Sequence, residues 1–79
     1  MIDRIELDPW EKSIIDTSSN SVSILVCSGK LVITNENEDK VISELKQWEV
    51  FTLPIQTGKY VLRAQDDWVL AYLFRMFIY

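Results

Sequence analysis

The stretch SGKLVITNENEDKVISELKQWEVFTLPIQTGKY, Ser28 to Tyr60, decides the fold. It opens on Ser28-Gly29, where a glycine free to take positive φ marks a tight hairpin turn. Lys30–Thr34 follows as the return strand, with Leu31 and Ile33 facing one way. Asn35-Glu36-Asn37-Glu38-Asp39 is a second turn, built of residues that tolerate the left-handed region and stay hydrated. Lys40–Leu45 and Glu49–Leu53 read as the next strands. Pro54–Gly58 is a loop, and Lys59–Ala64 is a strand with Tyr60, Leu62 and Ala64 on one side.

The same grammar extends in both directions. Before the stretch, Ser21–Cys27 alternates strictly, Val22, Ile24 and Val26 against Ser21, Ser23, Leu25 and Cys27. That period of two is strand, not helix. Ile2–Leu7 and Glu11–Asp16 are short strands split by Asp8-Pro9, and Thr17-Ser18-Ser19-Asn20 is a polar loop. After it, Gln65-Asp66-Asp67 is a turn and Trp68–Ile78 is the last strand. Ala71–Tyr79 contains helix formers, but its β-branched and aromatic residues favour strand. About eight short strands separated by turn signals predict an all-β sandwich or small barrel in one domain, residues 1–79.

Composition narrows the chemistry. With 79 residues, the chain has one cysteine, Cys27, and no histidine. An intrachain disulfide is impossible, and a lone thiol among scattered carboxylates is a poor zinc site. A Cys or Ser nucleophile would lack its imidazole base, so no catalytic residue is expected. Twelve acids against eight bases give a net charge of −4, which argues against nucleic-acid binding by a basic face. The start, Met1-Ile2-Asp3-Arg4, lacks the apolar run of a signal peptide, and the apolar tail is too short to span a bilayer as a helix. The expectation is a soluble cytoplasmic protein without membrane contact.

The segments ILVCSGKLVIT, VISELKQWEVFTLP and GKYVL together resemble the cupin superfamily. In that family a strand ending in a glycine turn is followed by a second strand and a polar turn. A Gly-Asp pair then leads into a Phe-rich strand ending in Ile-Pro. Gly29 stands at the glycine turn, Phe51, Leu53 and Pro54 on the Phe-x-Ile-Pro element, and Gly58, Lys59 and Tyr60 on a Gly-Glu-Tyr element. The flavour is that of the C-terminal barrel of type I mannose-6-phosphate isomerases. The resemblance covers about Ser21–Phe74 and implies a small cupin-like β-barrel or jelly roll. Two departures matter. The Gly-Asp pair is Trp48-Glu49 here. The family's metal ligands would fall around Ile15–Ser18, Val22 and Lys59 or Tyr60, and none of these is a histidine or glutamate. A metal-free domain with no cofactor is therefore expected.

Three functional readings follow. The final strand is apolar on both faces and broken only by Arg75, so Tyr72, Phe74, Arg75, Phe77 and Tyr79 are expected to form a homodimer interface. On this reading the chain is a non-enzymatic binding or regulatory module working through protein contacts. In the second, Lys59, Tyr60 and Trp48 line a barrel mouth that takes a small anion such as a sugar phosphate or nucleotide. Thr57-Gly58-Lys59 alone is no P-loop, and a surface lysine on a turn is its plainer reading. In the third, Glu36, Glu38 and Asp39 form an acidic surface that imitates nucleic-acid charge and inhibits a partner. Solubility is the plainer account of those acids.

Overall fold

A computed structural model describes residues 2–18, 20–55 and 58–76. Eight strands run among them: β1 Ile2–Leu7, β2 Lys12–Asp16, β3 Ser21–Ser28, β4 Leu31–Asn35, β5 Val41–Leu45, β6 Val50–Leu53, β7 Lys59–Ala64 and β8 Val69–Met76. All pairing is antiparallel, in two four-stranded sheets of order β1-β8-β3-β6 and β2-β7-β4-β5. This is the all-β sandwich that the turn spacing predicts, in the jelly-roll form that the resemblance implies.

Alternation places the core between the sheets. Val22, Ile24 and Val26 of β3 are fully buried, as are Leu31 and Ile33 of β4, Leu53 of β6 and Leu62 and Ala64 of β7. Val69, Ala71 and Leu73 supply the inward side of β8. No pocket opens among the described residues. Thr17 is also fully buried, and its Oγ1 finds no hydrogen-bond partner among the described residues.

One expectation is corrected. Gly29 does not close a hairpin, because β3 and β4 lie in different sheets. Its φ is +82°, and a Cβ built there would stand 2.2 Å from the Trp68 carbonyl oxygen. The glycine is required because the chain crosses between sheets against the backbone of the β7–β8 loop. The second turn is a true hairpin, β4 to β5. The Glu38 amide donates to the Asn35 carbonyl at 3.0 Å, and Glu38 takes a φ of 60°. The register slips between Ile33 and Thr34, as expected when a turn ends on a left-handed residue.

The connections divide into two ends. At one, four loops each cross from sheet to sheet: β1–β2, β3–β4, β5–β6 and β7–β8. At the other lie β2–β3, the β4–β5 hairpin and β6–β7.

Candidate functional site

The outer face of β1-β8-β3-β6 carries apolar side chains along its central strands that the sandwich covers only in part. Leu70, Tyr72 and Phe74 alternate with the buried Val69, Ala71 and Leu73, so they point outward from β8. The register extends them into rows across the sheet. Ile2, Phe74, Ser23 and Thr52 form one row, and Arg4, Tyr72, Leu25 and Val50 the next. Tyr72, Phe74, Leu70 and Leu25 are half-buried, while Ile2 and Val50 are exposed. Polar groups on this face satisfy one another. Ser23 Oγ and Thr52 Oγ1 are 2.9 Å apart, and Arg4 pairs with Glu6 along the edge strand β1.

The expected interface residues are thus partly gathered. Tyr72 and Phe74 stand on this face. Arg75 belongs to the opposite set of β8, and its Nε donates to Asp3 Oδ2 at 3.3 Å. Phe77 and Tyr79 lie outside the described residues.

The expected ligand trio is not brought together. Trp48 sits in the β5–β6 loop, at the end with four crossings, and is 68% exposed. Lys59 opens β7 opposite Asp16, at the far end of the sandwich, and is exposed. Tyr60, next to Lys59, points into the core beside Ile15. The Asp16 carboxyl is held below its ordinary value by the Ser18 amide, 2.9 Å from Oδ1, and by the Ser18 hydroxyl, with Lys59 adding a smaller attraction.

The expected acidic patch is partly consumed. Glu38 takes an ion pair from Lys12 at 2.8 Å and another from Arg63. Asp39 accepts a hydrogen bond from the Asn35 side-chain amide. Glu36 is exposed.

At the positions where the resemblance implies metal ligands, the residues do not fit a metal: Ile15, Val22 and Tyr60 are buried in the core, and Thr17 is buried beside Ile15 and Asp16 in sequence. Among the described residues, no three of His, Cys, Asp and Glu converge. No helix there is long and apolar enough to cross a membrane.

Sequence reasoning missed a repeated device. Asp8-Pro9-Trp10-Glu11 and Lys46-Gln47-Trp48-Glu49 fold into the same turn. In each, the glutamate amide donates to the carbonyl three residues back, at 2.9 and 3.1 Å. In each, the glutamate Oε1 accepts from the amide of that same residue, at 2.7 Å. The tryptophans take φ of 69° and 68°, at the third turn position, where glycine is normal. Each turn then docks on a core strand. Trp10 N–H donates to Ala64 and Ala64 N–H returns a bond to Glu11; Trp48 N–H donates to Val26 and Val26 N–H returns one to Glu49. The twice-written Trp-Glu was the signal.

Comparison with known proteins bears on the fold. No family model and no curated protein matches the sequence. Solved structures do. The CENP-C cupin domain of Drosophila melanogaster is 20% identical with a TM-score of 0.72, over 96% of this chain and 60% of that one. Drosophila melanogaster CENP-C bound to CAL1 is 19% identical with a TM-score of 0.75, over 96% and 64%. A cupin-2 domain protein from Shewanella frigidimarina is 13% identical with a TM-score of 0.69, over 95% and 69%. This chain spans about three-fifths of the length of the CENP-C chains it matches.

Proposed function

With the cupin fold as premise, we propose that this domain is a non-enzymatic protein-binding module that pairs with a second copy of itself through the outer face of β1-β8-β3-β6. The observation that carries the reading is the pair of cross-strand rows in which the half-buried Phe74 and Tyr72 stand beside Leu25 and the exposed Ile2 and Val50. A contiguous apolar patch on a small domain marks a contact surface, and aromatics at its centre are the residues interface cores favour. An isologous pairing needs one such face, presented twice. One structural neighbour, CENP-C, is seen bound to a protein, CAL1, which supports contact as a use of this fold. The absence of histidine from the sequence removes the imidazole on which metal-dependent cupin chemistry and nucleophilic catalysis rely.

Light scattering on the eluting protein tests this. Twice the mass of one chain is expected for the wild type, and one mass for Phe74→Asp, with an unchanged β-sheet circular dichroism spectrum. A wild type that stays at one mass at ~100 μM, a generous concentration for a specific dimer, contradicts the reading. A small-anion site at Lys59 predicts instead a thermal shift with sugar phosphates that Lys59→Ala abolishes.

A further inference from the structure

We propose that the end bearing Trp10, Trp68 and Trp48 is a second binding surface, which takes an extended, positively charged segment of a partner protein. Every tryptophan of the chain lies on this end, each is exposed, and Trp10 and Trp48 are 67% and 68% exposed. The sheet order sets out the four loops in a line: β1–β2 with Trp10, β7–β8 with Trp68, β3–β4 with Gly29, β5–β6 with Trp48. Backbone contacts join them in that order. Trp10 bonds to Ala64 and Gln65, Gly29 packs on the Trp68 carbonyl, and Val26 bonds to the Trp48 turn. At the usual strand spacing the line runs about 14 Å, the length of about four extended residues.

The tryptophans are held out at a cost. The repeated turn keeps two of them in the left-handed region, where a large side chain is disfavoured, and pins the Trp10 turn by five hydrogen bonds and the Trp48 turn by four. Nothing in the packing of the core requires an indole there, since both side chains face solvent. A rigid, pre-placed aromatic loses little entropy when it binds.

Charge selects the occupant. The same loops carry Asp8, Glu11, Glu49, Asp66 and Asp67. Against them stand Lys30, which is paired with Glu44 at 3.8 Å, and Lys46. An indole face attracts a guanidinium or ammonium, and neighbouring carboxylates strengthen that attraction. The same carboxylates repel nucleic acid and acidic peptides. This surface shares no residue with the outer face of β1-β8-β3-β6, so it stands apart from the self-association proposed above.

Calorimetric titration with a tetra-arginine peptide is the test, with tetra-citrulline as the neutral isostere and tetra-glutamate as the charge reversal. Saturable binding of tetra-arginine is expected, at least about tenfold tighter than tetra-citrulline, weakened by salt, with no binding of tetra-glutamate. Trp10→Gly and Trp48→Gly should each weaken it at least about threefold. Glycine suits the turn better than tryptophan, so both variants should melt no lower than wild type. Phe74→Asp should bind as wild type does. Equal binding of arginine and citrulline peptides, no binding of either, or wild-type affinity in both tryptophan variants overturns the proposal.

Discussion

The two outer faces of the sandwich obey the same alternation and end in opposite states. On β2-β7-β4-β5, the outward Val61, Val32 and Thr34 are buried, Val61 to 2%. The cover comes from the protein itself. The Asn35–Lys40 turn carries Glu38 to Arg63, two residues beyond Val61 on β7, and to Lys12 on β2. To reach them the turn folds back across the sheet. On β1-β8-β3-β6, no turn returns among the described residues, and Tyr72, Phe74 and Leu25 stay half-open. The middle of one face is closed beneath an intramolecular ion-pair bridge, while Ile14 and Val41 on its edge strands stay exposed. The other face keeps its central aromatics half-exposed.

The largest effect should separate the faces by stability. Val61→Asp buries an unpaired charge and should cost more than about 3 kcal/mol, enough to unfold much of a small domain. Phe74→Asp puts the charge at an open site and should cost about 1–2 kcal/mol in the monomer. Urea unfolding of both variants reads the difference, and equal costs would break the comparison. Glu38→Ala comes next. Losing both ion pairs and the cover over Val61 should cost about 1–2 kcal/mol, with a smaller penalty at high salt. Trp48→Gly should act in the other direction, raising stability by about 0.5 kcal/mol as left-handed strain is relieved, net of glycine's greater chain entropy.

The smallest effect concerns pH. The Asp16 carboxyl is depressed in the folded state, chiefly by the Ser18 amide. Its contribution is therefore complete above the unfolded carboxyl value and is lost as pH falls through the folded one. Asp16→Asn should be slightly less stable than wild type at about pH 7, and the gap should close by about pH 2. Paired urea midpoints at the two pH values check this.

The strands were legible because glycine and proline are few and the alternation is strict. Val22, Ile24 and Val26 could face only one way, and β8 announced two apolar sides. That is why the outward facing of Tyr72 and Phe74 was legible from spacing alone. Pairing was not legible. A left-handed glycine serves a hairpin and a sheet-to-sheet crossing equally well, so Gly29 was misread. The fate of Glu38 was hidden too, since its partners lie 25 and 26 residues away in the chain. Trp48 and Lys59 read as lining one barrel mouth, yet the β6 strand between them carries the chain from one end of the sandwich to the other. Trp10 was passed over because a tryptophan after proline looks like ordinary packing until its turn is seen twice.

A matched pair of residues offers the sharpest trial of the central claim, that the open face and not the closed one makes the contact. Ile2 on β1 is 63% exposed on the open face, and Ile14 on β2 is 61% exposed on the other. Sedimentation equilibrium of Ile2→Asp beside Ile14→Asp compares the same substitution at nearly the same exposure. The account predicts a dimer that dissociates in Ile2→Asp and persists in Ile14→Asp. Dissociation in Ile14→Asp alone, or identical masses for both, would contradict it.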